Sequence, residues 1–384
     1  MKSQFLLDPE ITFLNHGSFG ACPKPIFEEY QCFQLELESD PVHFFQKKQS
    51  GYLKIAKEKL AKFVGCSPKD FFFIPNPTVA VNTIMRSLKL EEGDEILTTN
   101  HEYGAMDRTW NFYSEKSGVK YIRQNIALPV VSKQQIIEDF WKGYSSRTKV
   151  IFLNHISSAT ALIFPIKEIC DKARELGLIT IIDGAHVPGH IDLNITELNP
   201  DFYTATLHKW MLAPKGSSFL YVKTEFQDRI EPLVVGWGYQ SLTPSESRFL
   251  DYHENQGTRD ISAYLCTPKV IDFLEENNWK EKSKVAKKLV LENYRVFCDV
   301  LHTEPICPIS GEFLGQMASI PIRTAKPNEL KELLYTKYKI QIPIMFLNGN
   351  TYLRFSINAY NSQEDLDILL KALHDIIKNT DLLD

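Results

Sequence analysis

The chain has 384 residues, of which 43% are hydrophobic and 24% charged, and its formal net charge is −5. This composition is typical of a soluble globular protein, and at ~150 residues per domain the length allows two or three domains. The acidic balance disfavours nucleic-acid binding, which needs a basic surface. Asp8 and Pro9 interrupt the N-terminal segment too early for a signal peptide, and no apolar run reaches the ~20 residues of a membrane span.

The seven cysteines are odd in number, scattered along the chain, and form no CxxC pair. This arrangement predicts neither a disulfide framework nor a zinc site. We therefore expect a reducing, cytoplasmic environment and no bound metal ion.

The first elements predicted along the chain are helices within residues 24–64, which Pro41 divides into two segments. From there, strand-like and helix-like segments alternate as far as "SSFLYV" (217–222). The strands at "KVIFLNHI" (149–156) and "LITIIDGAH" (178–186) have long apolar runs. Such strands, separated by amphipathic helices, predict an α/β fold with a mostly parallel sheet covered by helices on both faces.

The pattern changes after about residue 262. "NWKEKSKVAKKLVLENYRVFCDVL" (278–301) reads as a long charged helix, and short strands and a last helix from about Gln363 follow it. We predict a large domain at 24–261 and a smaller α+β domain at 262–384, with residues 1–23 packing near the functional site.

Reactive side chains follow three of the predicted strands: Asp183, the pair Ser157 and Ser158, and Lys209. In open α/β sheets, ligands bind beyond the carboxyl ends of the strands. Alone, the aspartate is most often a helix cap and the lysine a solvated surface residue. Together they indicate more, because a lysine amine reacts with an aldehyde cofactor and a buried carboxylate keeps a pyridine nitrogen protonated. That pairing is what pyridoxal 5′-phosphate requires.

Six segments resemble, in the same order, the class-V aminotransferase family of fold-type I pyridoxal phosphate enzymes. They are "NPTVAVN" (76–82), "NHEYGAMDRTW" (100–110), "DGAH" (183–186), "TLHKW" (206–210), "NQGTRDISAYLCTP" (255–268) and "LRFSINAYNSQEDLD" (353–367). The opening "FLNHGSFGACPKP" (13–25) looks most like the isopenicillin N epimerase branch, which also holds lyases that cleave the C–S bond of cysteine derivatives. The resemblance implies the fold-type I transferase fold, pyridoxal phosphate, an amino-acid substrate and a homodimer with a shared site.

The resemblance also implies a role for each matching residue. Lys209 would hold the cofactor and take the substrate Cα proton, Asp183 would pair with the ring nitrogen, and Tyr103 would stack on the ring. Further cofactor contacts would come from His186 at the ring hydroxyl, from Ser158, and from a phosphate cup of Pro77, Thr78, Thr206, His208 and the other subunit's Thr258. Substrate contacts would come from Arg354 at the α-carboxylate, from Arg259, and from Asn15 and His16 at the entrance.

The chain departs from the cysteine desulfurases of this family, which carry a nucleophilic cysteine on a loop before the carboxylate-binding arginine. Here the stretch "ELLYTKYKIQIPIMFLNGNTYL" (332–353) has no cysteine, which argues against persulfide chemistry. The leading hypothesis is β-elimination from an S-substituted cysteine or its sulfoxide. The alternatives are amino-acid epimerisation, for which Tyr103, His16 and His186 are candidate second bases, transamination, and a catalytically idle dimer.

Overall fold

The computed structural model describes residues 1–383. Its strands, numbered in chain order, are β1 (Thr12–Phe13), β2 (Phe71–Ile74), β3 (Glu95–Thr99), β4 (Lys120–Gln124), β5 (Thr148–Asn154), β6 (Ile179–Asp183), β7 (Phe202–Thr206), β8 (Ser218–Val222), β9 (Met317–Ile322), β10 (Ile340–Gln341), β11 (Ile344–Leu347) and β12 (Asn350–Ser356). Its helices are α1 (His16–Phe19), α2 (Lys24–Ser39), α3 (Pro41–His43), α4 (Gln49–Val64), α5 (Pro77–Ser87), α6 (Gly104–Ser117), α7 (Lys133–Trp141), α8 (Ile166–Glu175), α9 (Ile195–Leu198), α10 (Thr224–Gln227), α11 (Arg248–Glu254), α12 (Ser262–Leu265), α13 (Thr267–Glu276), α14 (Trp279–Val300), α15 (Pro327–Thr336) and α16 (Gln363–Asn379). A 3₁₀ turn lies at Lys2–Gln4, and a π-helical stretch at Phe44–Lys48 joins α3 to α4.

The helices of residues 24–64 begin and end at residues with clear physical reasons. Asp40 ends α2 and caps α3, where its side chain accepts a hydrogen bond of 3.1 Å from the backbone N–H of His43. Pro41 fits the first turn of α3 because its missing N–H would have no partner there. Gly65 ends α4 with φ of 68°, a left-handed conformation that favours glycine.

The central sheet has seven strands in the order β2-β8-β7-β6-β5-β3-β4. The neighbours from β7 to β4 pair in parallel, and β8 runs antiparallel to both β7 and β2. This confirms the predicted α/β fold with a mostly parallel sheet. Asp183 is in register with Asn154 on one side and Thr204 on the other, so the carboxyl ends of β5, β6 and β7 meet at one edge.

Both faces of the sheet are buried, which explains the continuous apolar runs. Along β5, Val150 and Phe152 join one hydrophobic cluster with side chains of α5 and α6. Ile151 and Leu153 join a second cluster with side chains of α4, α7 and α8. Each such side chain stabilises the fold by about 1.5–3 kcal/mol when fully buried.

The C-terminal part contains a three-stranded antiparallel sheet in the order β11-β12-β9. The N-terminal segment is attached to this part, because β1 pairs in parallel with β10 and Asn15 bridges to Ser356. One buried cluster includes residues of both predicted domains, for example Leu153 and Phe355, and the boundary at residue 261 stays a prediction. No helix within residues 1–383 combines the length and apolar character needed to cross a membrane.

Candidate active site

A cavity of about 230 Å³ opens at the carboxyl ends of β5, β6 and β7, beside the N-terminus of α5. Most of the residues that the sequence singled out line it, namely Pro77, Thr78, Tyr103, Ser158, Asp183, His186, Thr206, His208 and Lys209. Ser18 and Phe19 of the N-terminal segment and Asn154 at the end of β5 line it as well. The parallel sheet and the N-terminal segment therefore meet at one cavity, although Ser18 and Lys209 lie far apart in the sequence.

Asp183 supplies a buried carboxylate as the last residue of β6. Its Oδ1 accepts a hydrogen bond of 2.9 Å from the backbone N–H of Ala185, and no group of residues 1–383 donates to Oδ2. Burial raises the pKa of Asp183, while the Ala185 hydrogen bond and the charge of Lys209 act in the opposite direction. The carboxylate therefore faces the cavity with one oxygen free to accept a proton or a cationic N–H group.

Lys209 lies in the turn after β7, where it is partly buried and lines the cavity. Its Nζ is 3.3 Å from Nε2 of His186. Burial and the charge of Arg354 lower the pKa of Lys209 to about 8, although Asp183 opposes the shift. With this pKa the lysine is still mostly protonated at about pH 7, but its neutral fraction, which acts as nucleophile and base, is far larger than that of an ordinary lysine.

The wall beside α5 is suited to an anion. Asn76 caps this helix by accepting a 3.0 Å hydrogen bond from the N–H of Val79, so Pro77 and Thr78 form the first turn at the cavity. The N-terminus of a helix carries a partial positive charge and unpaired N–H groups. A phosphate at this position would accept hydrogen bonds from these N–H groups and be attracted by the partial positive charge.

Thr206 and His208 stand on the same wall. The Thr206 hydroxyl donates to the Ala185 carbonyl at 2.6 Å, and Nδ1 of His208 donates to the Ser217 carbonyl at 3.1 Å. Burial and the charges of Lys209 and Lys215 together lower the pKa of His208 to about 4, although the hydrogen bond to Ser217 opposes the shift. Because a nearby anion favours the imidazolium form, a bound phosphate would raise this pKa and make Nε2 a donor.

Arg354, on β12, is buried behind the cavity wall. Its Nη1 donates to the backbone oxygen and the hydroxyl of Ser158 at 2.5 and 3.2 Å, and its Nη2 donates to the Ser18 hydroxyl at 2.9 Å. Its Nε has no hydrogen-bond partner within residues 1–383. Burial lowers the pKa of Arg354 to about 10. A carboxylate that enters between Ser18 and Ser158 could therefore pair with the Arg354 guanidinium, which these two residues hold in position.

The family model described as aminotransferase class-V matches residues 20–369 of the chain. The chain belongs to the class-V aminotransferase family. It is 32% identical to the isopenicillin N epimerase of Streptomyces clavuligerus, an alignment that covers 97% of this chain and 96% of that protein. It is 23% identical to the hercynylcysteine sulfoxide lyase of Schizosaccharomyces pombe, over 98% of this chain and 96% of that protein.

The fold is shared with solved structures of cysteine-metabolising enzymes. The apo cysteine desulfurase of Thermococcus onnurineus NA1 superposes with a TM-score of 0.84 at 21% identity, covering 98% of this chain and 97% of that one. This likeness confirms the predicted fold. As a class-V aminotransferase family member, the chain is a pyridoxal phosphate enzyme.

The residues at the cavity fit pyridoxal phosphate. The open oxygen of Asp183 would hold the protonated ring nitrogen, Lys209 would bind the aldehyde carbon, and the N-terminus of α5 with Thr78, Thr206 and His208 would hold the phosphate. Tyr103 precedes α6 at the cavity mouth, where its side chain is 49% exposed and free to stack on a ring. We propose these assignments from the donors and acceptors that line the cavity.

The structure corrects the expected position of His16. Its Nε2 donates to the backbone oxygen of Lys209 at 3.0 Å, and its Nδ1 accepts from the Tyr360 hydroxyl at 2.9 Å. Both ring nitrogens are therefore engaged in a fully buried contact behind the lysine. His16 supports the backbone of Lys209 and does not line the cavity, and its role toward a substrate stays a prediction.

Asn15 is also set back from the cavity entrance. Its Oδ1 accepts a hydrogen bond of 2.5 Å from the Ser18 hydroxyl, which in turn accepts from Arg354. Asn15 therefore does not line the cavity. It orients the Ser18 hydroxyl, which accepts the hydrogen bond from Arg354. Ser18 was not among the predicted site residues, although it lies in the "NHGSFG" segment beside Asn15 and His16.

Thr258 and Arg259 lie away from the cavity of their own chain. Thr258 is exposed, and the Arg259 guanidinium lies over the Tyr264 ring, 5.7 Å from its centroid. The expectation that they serve a neighbouring subunit's site stays a prediction.

Proposed function

We propose that the chain catalyses β-elimination from an S-substituted cysteine or its sulfoxide. The observation that carries this proposal is the arrangement of bases around the cavity. His186 lies beside Lys209, at 3.3 Å from Nζ, and His16 lies behind its backbone. β-Elimination needs one base at Cα, whereas epimerisation also needs a proton donor on the opposite face, so the arrangement favours the reaction that Lys209 can start alone.

In the proposed reaction Arg354 binds the substrate α-carboxylate and thereby fixes the direction of the Cα–H bond. The bound cofactor acts as an electron sink that makes this bond acidic. The amine of Lys209 takes the Cα proton, a Cα–Cβ double bond forms, and the Cβ–S bond breaks with its electron pair on sulfur. Hydrolysis of the released 2-aminoacrylate gives pyruvate and ammonia.

The cysteines support elimination over persulfide formation. All seven lie within residues 1–383, and none lines this cavity. Burial raises the pKa of Cys22, Cys66 and Cys307 to about 12, which keeps these thiols protonated. A protonated, distant thiol does not attack the sulfur of a bound substrate.

Amino-acid epimerisation is the second candidate. Two observations favour it: the 32% identity to an isopenicillin N epimerase, and the position of Tyr103 at the cavity mouth. Tyr103 is the one predicted second base that neither lies behind Lys209 nor pairs with its amine. Transamination stays a further alternative, for which no particular contact argues.

Tyr103→Phe separates the two candidates. We expect this variant to keep at least about a third of the wild-type rate of pyruvate release from S-substituted cysteines, since the ring still stacks and Lys209 still takes the proton. The assay is run in deuterium oxide, with pyruvate measured enzymatically and the recovered amino acid analysed on a chiral column. Deuterium uptake with a growing D-enantiomer and no pyruvate, lost in Tyr103→Phe, would establish the epimerase instead.

We further propose a cytoplasmic homodimer. Residues 234–242 expose large apolar side chains, with Trp237 at 87% and Leu242 at 95% exposure, and they precede Thr258 in the chain. Exposed apolar surface of this kind marks an interaction site, and a second copy of the chain that covers it would bring Thr258 to the neighbouring phosphate cup.

Mixed dimers test the shared site. Lys209→Ala and Thr258→Glu chains, each inactive alone, are expected to recover about a quarter of wild-type activity when refolded together, because half of the dimers contain one intact site of two. The measurement is pyruvate release before and after mixing, with sedimentation to confirm the dimer. Full activity of Thr258→Glu alone would show that Thr258 serves no site.

A further inference from the structure

Trp210 follows Lys209 in the chain and its indole is buried against His186. Nε1 of Trp210 donates a hydrogen bond of 3.2 Å to Nδ1 of His186. The indole N–H is a donor and never an acceptor, so Nδ1 of His186 must present its lone pair. A neutral His186 therefore carries its proton on Nε2, the nitrogen that lies 3.3 Å from Nζ of Lys209.

The surroundings hold the indole in this orientation. The His190 ring stacks on Trp210 with 4.0 Å between centroids and 24° between planes, and His16 packs nearby at 4.9 Å. Nδ1 of His190 donates to the His186 backbone oxygen at 2.8 Å, and its Nε2 accepts from the Gln316 N–H at 2.6 Å. These contacts leave the indole N–H no partner other than His186.

The charges around His186 keep its ring neutral, as the hydrogen bond from Trp210 does. Burial together with Lys209, Arg354, His190 and His16 keeps the pKa of His186 well below its usual value, so the ring stays neutral. A neutral ring with its proton on Nε2 donates to the lone pair of a neutral Lys209 amine. The same N–H of His186 disfavours the ammonium form of Lys209, because an ammonium group has no lone pair to accept the hydrogen bond.

We propose that Trp210 is a positioning residue that holds His186 in the Nε2–H form, so that His186 presents a hydrogen-bond donor to the cavity. In the empty site this donor faces the Lys209 amine at 3.3 Å and favours its neutral form. With pyridoxal phosphate bound, the same N–H is available to the ring oxygen of the cofactor. Trp210 thus determines the role of His186 without touching the cofactor.

The first test reads the proton position directly. Holoenzyme with ¹⁵N-labelled histidine is observed by two-bond ¹H–¹⁵N correlation from about pH 6 to about pH 9, and His186→Gln assigns the signal. Wild-type His186 is expected to show the Nε2–H pattern throughout. Trp210→Phe keeps the stacked ring but lacks the N–H, so it should admit the Nδ1–H form or protonation in this range.

A wild-type signal of the Nδ1–H or imidazolium type would overturn the proposal. This part of the test uses only the wild-type protein, so it does not depend on whether a variant folds. A Trp210→Phe variant that keeps the Nε2–H pattern throughout the pH range would also overturn the proposal. Ile163→Val is the matched control, because Ile163 belongs to the same hydrophobic cluster as Trp210 but has no polar group. It should keep the wild-type pattern.

The second test is a double-mutant cycle of Trp210 and His186. It rests on the proposed function and measures kcat/KM for pyruvate release from an S-substituted cysteine. Trp210→Phe should lose about tenfold in the wild-type background, as expected for one hydrogen bond at a reacting group. In a His186→Gln background the further loss should be less than about twofold, because a glutamine amide donates without depending on a tautomer. Additive losses in the two backgrounds would mean that Trp210 acts only through packing.

Discussion

Lys209→Ala is expected to lower the rate of turnover by about 10⁴-fold. The substitution removes both the amine that would hold the cofactor aldehyde and the base that would take the Cα proton. No second amine replaces it, since the cavity wall contains no other lysine among the residues described. The measurement is pyruvate release from an S-substituted cysteine at saturating cofactor.

Lys215→Ala is the matched control for this result. Lys215 lies six residues further on, and burial lowers its pKa as it does that of Lys209. It lines a different cavity with Leu6 and Cys22, away from Asp183. The control should keep most of the wild-type rate, and a comparable loss in both variants would contradict the assignment of the base.

Arg354→Lys is expected to lower kcat/KM by about 100-fold, equivalent to about 3 kcal/mol. The guanidinium is directed by Ser158 and Ser18 and offers a planar pair of donors that matches a carboxylate, whereas lysine offers a single point charge. Lysine would also leave the oxygens of Ser158 without their present donor. Steady-state kinetics with the S-substituted cysteine measure the change.

Arg323→Lys provides the comparison for Arg354. Arg323 follows β9 and is exposed, so the exchange should change kcat/KM by less than about twofold. If Arg354→Lys kept wild-type kcat/KM, the α-carboxylate would have to bind elsewhere. A loss of thermal stability alone, with unchanged kinetics, would assign Arg354 to the fold.

The central part of the site could be predicted from the sequence because local rules determine it. Apolar strands buried on both faces predict a parallel sheet, and Asp183 and Lys209 then follow neighbouring strands at one edge. The helix start at the same edge is implied by the family resemblance of residues 76–82, and the structure adds that Asn76 caps this helix.

The parts that could not be predicted depend on contacts between distant segments. Ser18 contacts Arg354 across 336 residues, and no periodicity signals such a pair. The sequence placed His16 in the right region but could not show that both of its ring nitrogens bond to protein groups. The donor at His186 depends on Trp210, whose orientation is a result of packing between His190 and His16.

The most direct test of the account is the identity of the lysine that binds the cofactor. The holoenzyme is reduced with borohydride, digested, and mapped by mass spectrometry for the phosphopyridoxyl group. The account predicts a single modified peptide with the label on Lys209, and no label in Lys209→Ala. A label on another lysine, or a reduced protein without any label, would contradict it.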